Sequence, residues 1–293
     1  MMTRKQVNPF TWLFVALLAL IFPACSRKQA AETSANPISA AWTDYTLGEW
    51  DRAIAKFDAA LTGAPKGSDD QLQALYGLAT TWNLRRPGEN SQKAIALYQQ
   101  ILDAAPKSDL AAWSLLGLAR MKHLVPVGDE PNYDEVMKAY QEVIDRFPNH
   151  LAGKEAFIYL NSVLVSSLKE RETRRALAML EKFVQNESNE FVGPAYSLMA
   201  VCYTTLNMQD KRLWAEIQSL DKTEVDPTNP FTEFAWQYWN IATIAEFEVG
   251  DFNTARKYYN KLLKEYPNDM RDYAAEQALK RMDDLEAKIR REL

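Results

Sequence analysis

The residues of this chain that could do chemistry are few and scattered. There are two histidines and two cysteines in 293 residues. His123 and His150 are in no zinc-type spacing such as His-Glu-x-x-His, and both fall near predicted turns, where a histidine caps a helix or sits in solvent. Gly117, Gly153 and Gly193 are isolated, so no phosphate-cradling glycine loop forms, and no Gly-x-Ser-x-Gly elbow occurs. The acid pairs Asp69-Asp70, Asp283-Asp284 and Glu246/Glu248 fall in helix-end or exposed contexts and read as solvated faces rather than acid–base dyads. Cys202, between Val201 and Tyr203, reads as a small buried hydrophobe. No catalytic residue, metal ligand or cofactor motif is expected.

What the chain does carry is a spacing. Gly48-Glu49-Trp50-Asp51-Arg52-Ala53, Asn90-Ser91-Gln92-Lys93-Ala94, Asn132-Tyr133-Asp134-Glu135-Val136 and Gly250-Asp251-Phe252-Asn253-Thr254-Ala255 each end on a slim residue. An aromatic follows at plus four (Phe57, Tyr98, Tyr140, Tyr259), an apolar residue at plus seven (Ala60, Ile101, Val143, Leu262) and a proline at plus twelve (Pro65, Pro106, Pro148, Pro267). Offsets zero, four and seven share one helix face. The slim residue admits a neighbouring helix, the aromatic fills the space beside it, and the proline ends the helix. Asp251 is placed as an N-cap. A second helix precedes each of these, with Trp113, Leu116 and Gly117 at offsets zero, three and four, and Tyr196, Met199 and Ala200 repeating them.

A helix–turn–helix unit of this length resembles the tetratricopeptide repeat. The resemblance implies an all-α fold: an α-solenoid, a right-handed superhelix of about six helix pairs over residues 37–293, closed by a capping helix at 269–293. The spacing is clear in units one, three and six. It is eroded in units four and five, where Ala176 and Leu180 persist without a closing proline. Extra residues around Arg86-Pro87-Gly88-Glu89 and Val125-Pro126-Val127-Gly128 fall between paired helices, where loops tolerate length. A fixed-period solenoid binds partners rather than catalysing.

In this family the first helix of each pair lines the concave surface, at three before, one after and four after its small residue. Carried onto this sequence, that frame implies a peptide-binding groove including Trp42, Tyr45, Ser114, Leu118, Asn161, Val165, Ser197, Asn240, Ile244 and Phe247. All of them are uncharged, and the Lys/Arg/Asn clamp by which some members hold a peptide carboxylate is absent. Ser114, Asn161, Ser197 and Asn240 form a ladder suited to bonding an extended backbone. The alternative at this stage is a register shifted by one, with some of these residues buried between helices. Among the aromatics Phe231, Phe234, Trp236, Tyr238 and Trp239, most are expected to pack, with one or two left as exposed anchors.

The N-terminus sets the expected compartment. Arg4 and Lys5 precede a nearly continuous apolar run from Phe10 to Phe22, too short to span a bilayer and fitting the core of a secretory signal. It ends at Phe22-Pro23-Ala24-Cys25, which resembles the bacterial lipobox, with Phe22 and Pro23 departing from the usual pattern. The resemblance implies a signal over 1–24, acylation of Cys25 by chains such as palmitate, and a small, polar tether over 25–36. It leaves plain secretion and an uncleaved anchor as alternatives. Ser26 in place of Asp points to the outer membrane, periplasmic face; inner-membrane anchoring or surface display are the alternatives. The formal net charge of −5, more acidic still without Arg4 and Lys5, argues against nucleic acid and anionic lipid as main partners. The expected role is a scaffold for other envelope proteins. The competing class is a ligand- or glycan-binding solenoid that stacks sugars on aromatics. No feature sets the oligomeric state.

Overall fold

The computed structural model describes residues 36–186, 190–223 and 234–292. The segments read as signal and tether, with Cys25, lie outside these residues, as do Phe231 and the loop Glu224–Pro230. Among the described residues there are thirteen α-helices and no strand. They are α1 (Pro37–Thr46), α2 (Trp50–Gly63), α3 (Asp69–Leu84), α4 (Ser91–Ala104), α5 (Asp109–His123), α6 (Tyr133–Arg146), α7 (Leu151–Ser166), α8 (Glu170–Phe183), α9 (Val192–Thr205), α10 (Gln209–Asp221), α11 (Ala235–Thr243), α12 (Phe252–Glu265) and α13 (Asp272–Glu292). Helix α11 runs on into a wider π-helical turn, Ile244–Val249. Six pairs and a final single helix result, as the spacing predicts.

Local signals place the boundaries. α2, α4, α6 and α12 each stop two residues before the proline of the template, because the residue before a proline is pushed out of the helical region. Asn90, Ser108, Asn132 and Asp251 cap α4, α5, α6 and α12 by accepting a backbone N–H three residues on. His150 caps α7: its Nδ1 accepts the Ala152 N–H at 3.0 Å, so its Nε2 carries the proton given to Asp109. Gly250, at φ +80°, makes the left-handed turn that lets α12 begin at once.

The chain divides into two compact units, up to Gly77 and from Leu78 onward, with the boundary inside α3. In the first unit α1 packs on α2. Phe57 is fully buried, with Trp42 edge-on to it at 5.1 Å and Tyr45 edge-on to Trp42 at 5.2 Å. A Cβ on Gly77 would fall 2.3 Å from the Phe57 ring, so only glycine allows that approach.

In the second unit each helix from α5 packs on its neighbour in sequence. The template residues form the seams: Ala94, Val136, Ala176 and Ala255 are fully buried, with Tyr98, Tyr140, Leu180 and Tyr259 beside them. Burial on this scale dominates the stability of a solenoid, since each repeat contacts only its neighbours. Cys202 lies inside the α9 seam, and burial pushes its thiol up to about 11. One expectation fails: Glu246 is not on a solvated face. It is buried, accepting from Tyr259 O–H at 2.9 Å and pairing with Arg281 of α13. The acid-pair reading saw its sequence neighbours but not the arginine 35 residues away that neutralises it.

Candidate binding groove

The groove residues expected from the sequence do not form one surface. Ser114 and Asn161 have no exposed area, and Val165 and Ile244 are buried. Leu118, Trp42, Tyr45 and Asn240 are half-buried; only Ser197 and Phe247 are well exposed.

The burial has distinct causes. Helix α5 packs on α7, and α7 on α9, so the neighbouring first helix covers the face where Ser114 and Val165 sit. Asn161 is a register error. Phe157, Leu160 and Asn161 occupy the offsets that Trp113, Leu116 and Gly117 occupy in α5, so Asn161 stands in the small-residue slot. In α5 that slot is tight, with the Tyr98 ring 3.1 Å from where a Gly117 Cβ would be. Asn161 fits by folding back, its Nδ2 donating to Phe157 O at 2.8 Å. Ile244 is displaced by the π-helical turn. That turn absorbs one extra residue, moves Ile244 into the core and gives the outward position to Thr243. Trp42 and Tyr45 pack within the aromatic cluster of the first unit, which also takes in Trp50 and Tyr76.

What remains open is a stripe on two helices. On α9 it comprises Ser197, Val201 (45 % exposed) and Thr204. On α11 it comprises Trp236 (61 %), Asn240, Thr243 and Phe247 (66 %). It is open because α9 and α11 do not pack along one another as α5 does on α7 and α7 on α9. Helix α11 is held to α10 instead. Arg212 Nη1 donates to both carboxylate oxygens of Glu248, at 2.8 and 2.6 Å, and Asn240 bonds Glu216. Burial raises the Glu216 carboxyl above the usual range, opposed by the Asn240 bond and the nearby Arg212 charge.

The stripe is less polar than its composition suggests. Thr204 and Thr243 donate their hydroxyls to carbonyls of their own helix, Ala200 O at 2.9 Å and Trp239 O at 3.0 Å. Ser197 Oγ is 2.7 Å from Ser219 Oγ. The backbone-binding ladder expected from the sequence is therefore largely spent on internal bonds. Sequence reasoning missed Trp236 and Thr243 as stripe residues. The signal for Trp236 was its place in an aromatic run too dense for one seam; that for Thr243 was the step from the small residue Ala242 to Gly250, one residue longer than from Ala41 to Gly48 in the first pair. Tyr238 is buried, Phe234 and Trp239 pack against the same cluster, and Trp236 stands out.

Among the described residues no group of His, Cys, Asp and Glu is arranged to hold a metal ion, and no helix is long and apolar enough to cross a membrane. The site can make contacts through apolar area, with little hydrogen-bonding capacity to spare.

A tetratricopeptide-repeat family model matches residues 235–269, the sixth pair and the turn after it. No curated protein sequence matches the chain. Similar solved structures include PilW, a widely conserved type IV pilus biogenesis factor, at TM-score 0.53 and 17 % identity, covering 84 % of this chain and 96 % of that one. PilF of Pseudomonas aeruginosa aligns at TM-score 0.50 and 16 % identity, over 82 % and 96 %. Acl4, an assembly chaperone of RpL4, aligns at TM-score 0.50 and 12 % identity, over 87 % and 98 %. These likenesses concern the fold, which the helix pairing shows independently. The sixth pair thus carries a tetratricopeptide repeat, over residues 235–269, and the described residues share the all-α, paired-helix fold of these solved structures, with six helix pairs and a terminal helix.

Proposed function

We propose that this protein is a non-catalytic scaffold that binds other proteins of the cell envelope through the open stripe of α9 and α11, tethered by acyl chains on Cys25 to the periplasmic face of the outer membrane. One observation carries the binding site: α5 and α7 are covered by the first helices that follow them, and the face left uncovered on α9 and α11 is apolar and uncharged. A surface with two large rings and no free charge suits protein contact. The likeness to PilW, a pilus biogenesis factor, and to Acl4, an assembly chaperone, supports this reading in kind, since biogenesis and assembly are both work done with other proteins. The anchor rests on the sequence around Cys25, and two or three acyl chains hold a protein stably to a bilayer.

Photo-crosslinking in the native envelope tests the site. A crosslinking residue at Val201 or Phe247 captures a discrete protein band, and one at an outward position of α8, such as Arg174, does not. Equal capture from both faces defeats the stripe as the binding site. Cys25→Ser tests the tether: the protein moves from the membrane fraction to the soluble periplasm. If it stays with the membrane, the acyl anchor is wrong.

A second reading has its own observation. Two exposed aromatic rings on one face could stack on sugars, making the protein a glycan-binding solenoid. A thermal-shift response to glycans but not to peptides would replace the first reading.

A further inference from the structure

The two exposed rings of α11 share one construction. Trp236 and Phe247 are eleven residues apart along α11 and the π-helical turn that continues it, roughly 16 Å along the axis, and both rings stand exposed. Each ring has a guanidinium over it, drawn from the last helix or the turn before it. Arg271 Cζ lies 5.9 Å from the Trp236 ring and Arg281 Cζ lies 5.1 Å from Phe247.

Each arginine is in turn fixed by a nearly buried carboxylate. Arg271 reaches Asp269 through Nε at 2.7 Å and Nη2 at 3.0 Å. Arg281 donates to Glu246 Oε1 through Nε at 2.9 Å and Nη2 at 2.5 Å. Carboxylate holds arginine, and arginine holds ring, twice over. Rings ordered in advance lose little freedom when a ligand arrives. Both arginine charges are neutralised, so neither recruits an acidic group. Each ring has also given one face to a cation. A second cation on the free face would meet a quadrupole already engaged and a guanidinium of like charge behind it.

We propose that Trp236 and Phe247 are paired, pre-ordered anchors for a protein segment that presents two apolar side chains about 16 Å apart, and that the arginine behind each ring selects against lysine or arginine at those two points. This rests on the reading of the stripe as a protein-binding face. Charge complementarity commits the occupant to an uncharged segment. Between the rings lie Asn240 and Thr243, bonded to Glu216 and to Trp239 O, and the nearby Arg212 and Glu248 are spent on each other. The same lack of free donors and acceptors disfavours a carbohydrate, whose hydroxyls need partners.

The test is panning of a phage-displayed random dodecapeptide library on the full-length protein purified in mild detergent, with affinities of selected peptides measured by fluorescence polarisation. The expected peptides carry two apolar residues and no lysine or arginine at those positions. Their affinity falls about tenfold or more in both Trp236→Ala and Phe247→Ala, as for anchor residues. Both replaced residues are exposed, so both variants should keep the parent's circular-dichroism melt. A variant that loses its melt is replaced by Trp236→Phe or Phe247→Leu, where the drop is smaller but still present. Enriched peptides that bind both variants like the parent, or that place lysine or arginine on the anchors, overturn the paired-ring inference and leave the protein-binding reading standing. No enriched peptide, with or without a glycan-array response lost in Trp236→Ala, overturns both.

Discussion

Repeats three and four, and repeats five and six, use the same helix pair to opposite ends. In the earlier two, α5 and α7 turn their candidate groove faces onto neighbouring helices, and Ser114, Asn161 and Val165 disappear from solvent. In the later two, α9 and α11 are held apart, and Ser197, Val201, Trp236 and Phe247 stay exposed. The difference is not one of residue type, since valine and serine occur in both stripes. It comes from whether the next first helix also packs on the preceding first helix. Where it packs on the preceding first helix as well as the second, the face becomes core; where it packs on the preceding second helix alone, through Arg212–Glu248 and Glu216–Asn240, the face becomes surface. In a solenoid, therefore, packing at each joint decides how much of the shared face is left for binding.

The sharpest way to break this comparison is one substitution placed in both regions. Val165→Asp buries an unpaired carboxylate and should destabilise by about 3 kcal/mol or more, whereas Val201→Asp should shift stability by no more than about 0.5 kcal/mol. Urea unfolding followed by circular dichroism reads both, and equal losses would show that α9 is as covered as α7. A smaller effect probes the joint between α11 and α13. Arg281→Ala leaves Glu246 buried with Tyr259 as its remaining partner, and should cost about 2 kcal/mol, less than for a fully buried pair because Arg281 is half exposed. The paired variant Glu246→Gln/Arg281→Ala should recover part of that loss.

Smaller again is a test of the covered face. Ser114 Oγ has no protein partner and no exposed area, so Ser114→Ala should leave stability unchanged or raise it by up to about 1 kcal/mol. Loss of stability would mean that the hydroxyl is bonded. The smallest expected effect is pH-linked. Burial raises the Glu216 carboxyl, so the native state holds this proton more tightly than the unfolded chain. Its contribution to stability is present below the ordinary glutamate range and falls as pH rises through the raised value. Glu216→Gln should remove that slope, leaving a flatter melting-temperature profile between mildly acidic and neutral pH. An unchanged profile would show that the Asn240 bond and Arg212 fully offset the burial.

How legible the site was varies residue by residue. Phe247 was legible because it lies a fixed step from Gly250. Val165 and Ser114 were placed on the right face of the right helices, but no single-chain pattern states whether a neighbour covers that face. Asn161 was misplaced because an asparagine rarely fills a small-residue slot, and only its fold-back bond to Phe157 O makes it fit. Ile244 was misplaced because counting at 3.6 residues per turn has no provision for a π-helical turn, which absorbs one residue without any mark in composition.

The sequence by itself determined the helices, their ends and their pairing. Caps, prolines and the slim–aromatic–apolar spacing act over a few residues, within the range where local sterics and helix periodicity decide structure. The tertiary structure alone decided which first helices cover each other, that Glu246 meets Arg281, and that Trp236 and Phe247 are braced from the end of the chain. Those outcomes depend on contacts between residues tens of positions apart, where a shift of one residue in one turn changes which side chain faces water.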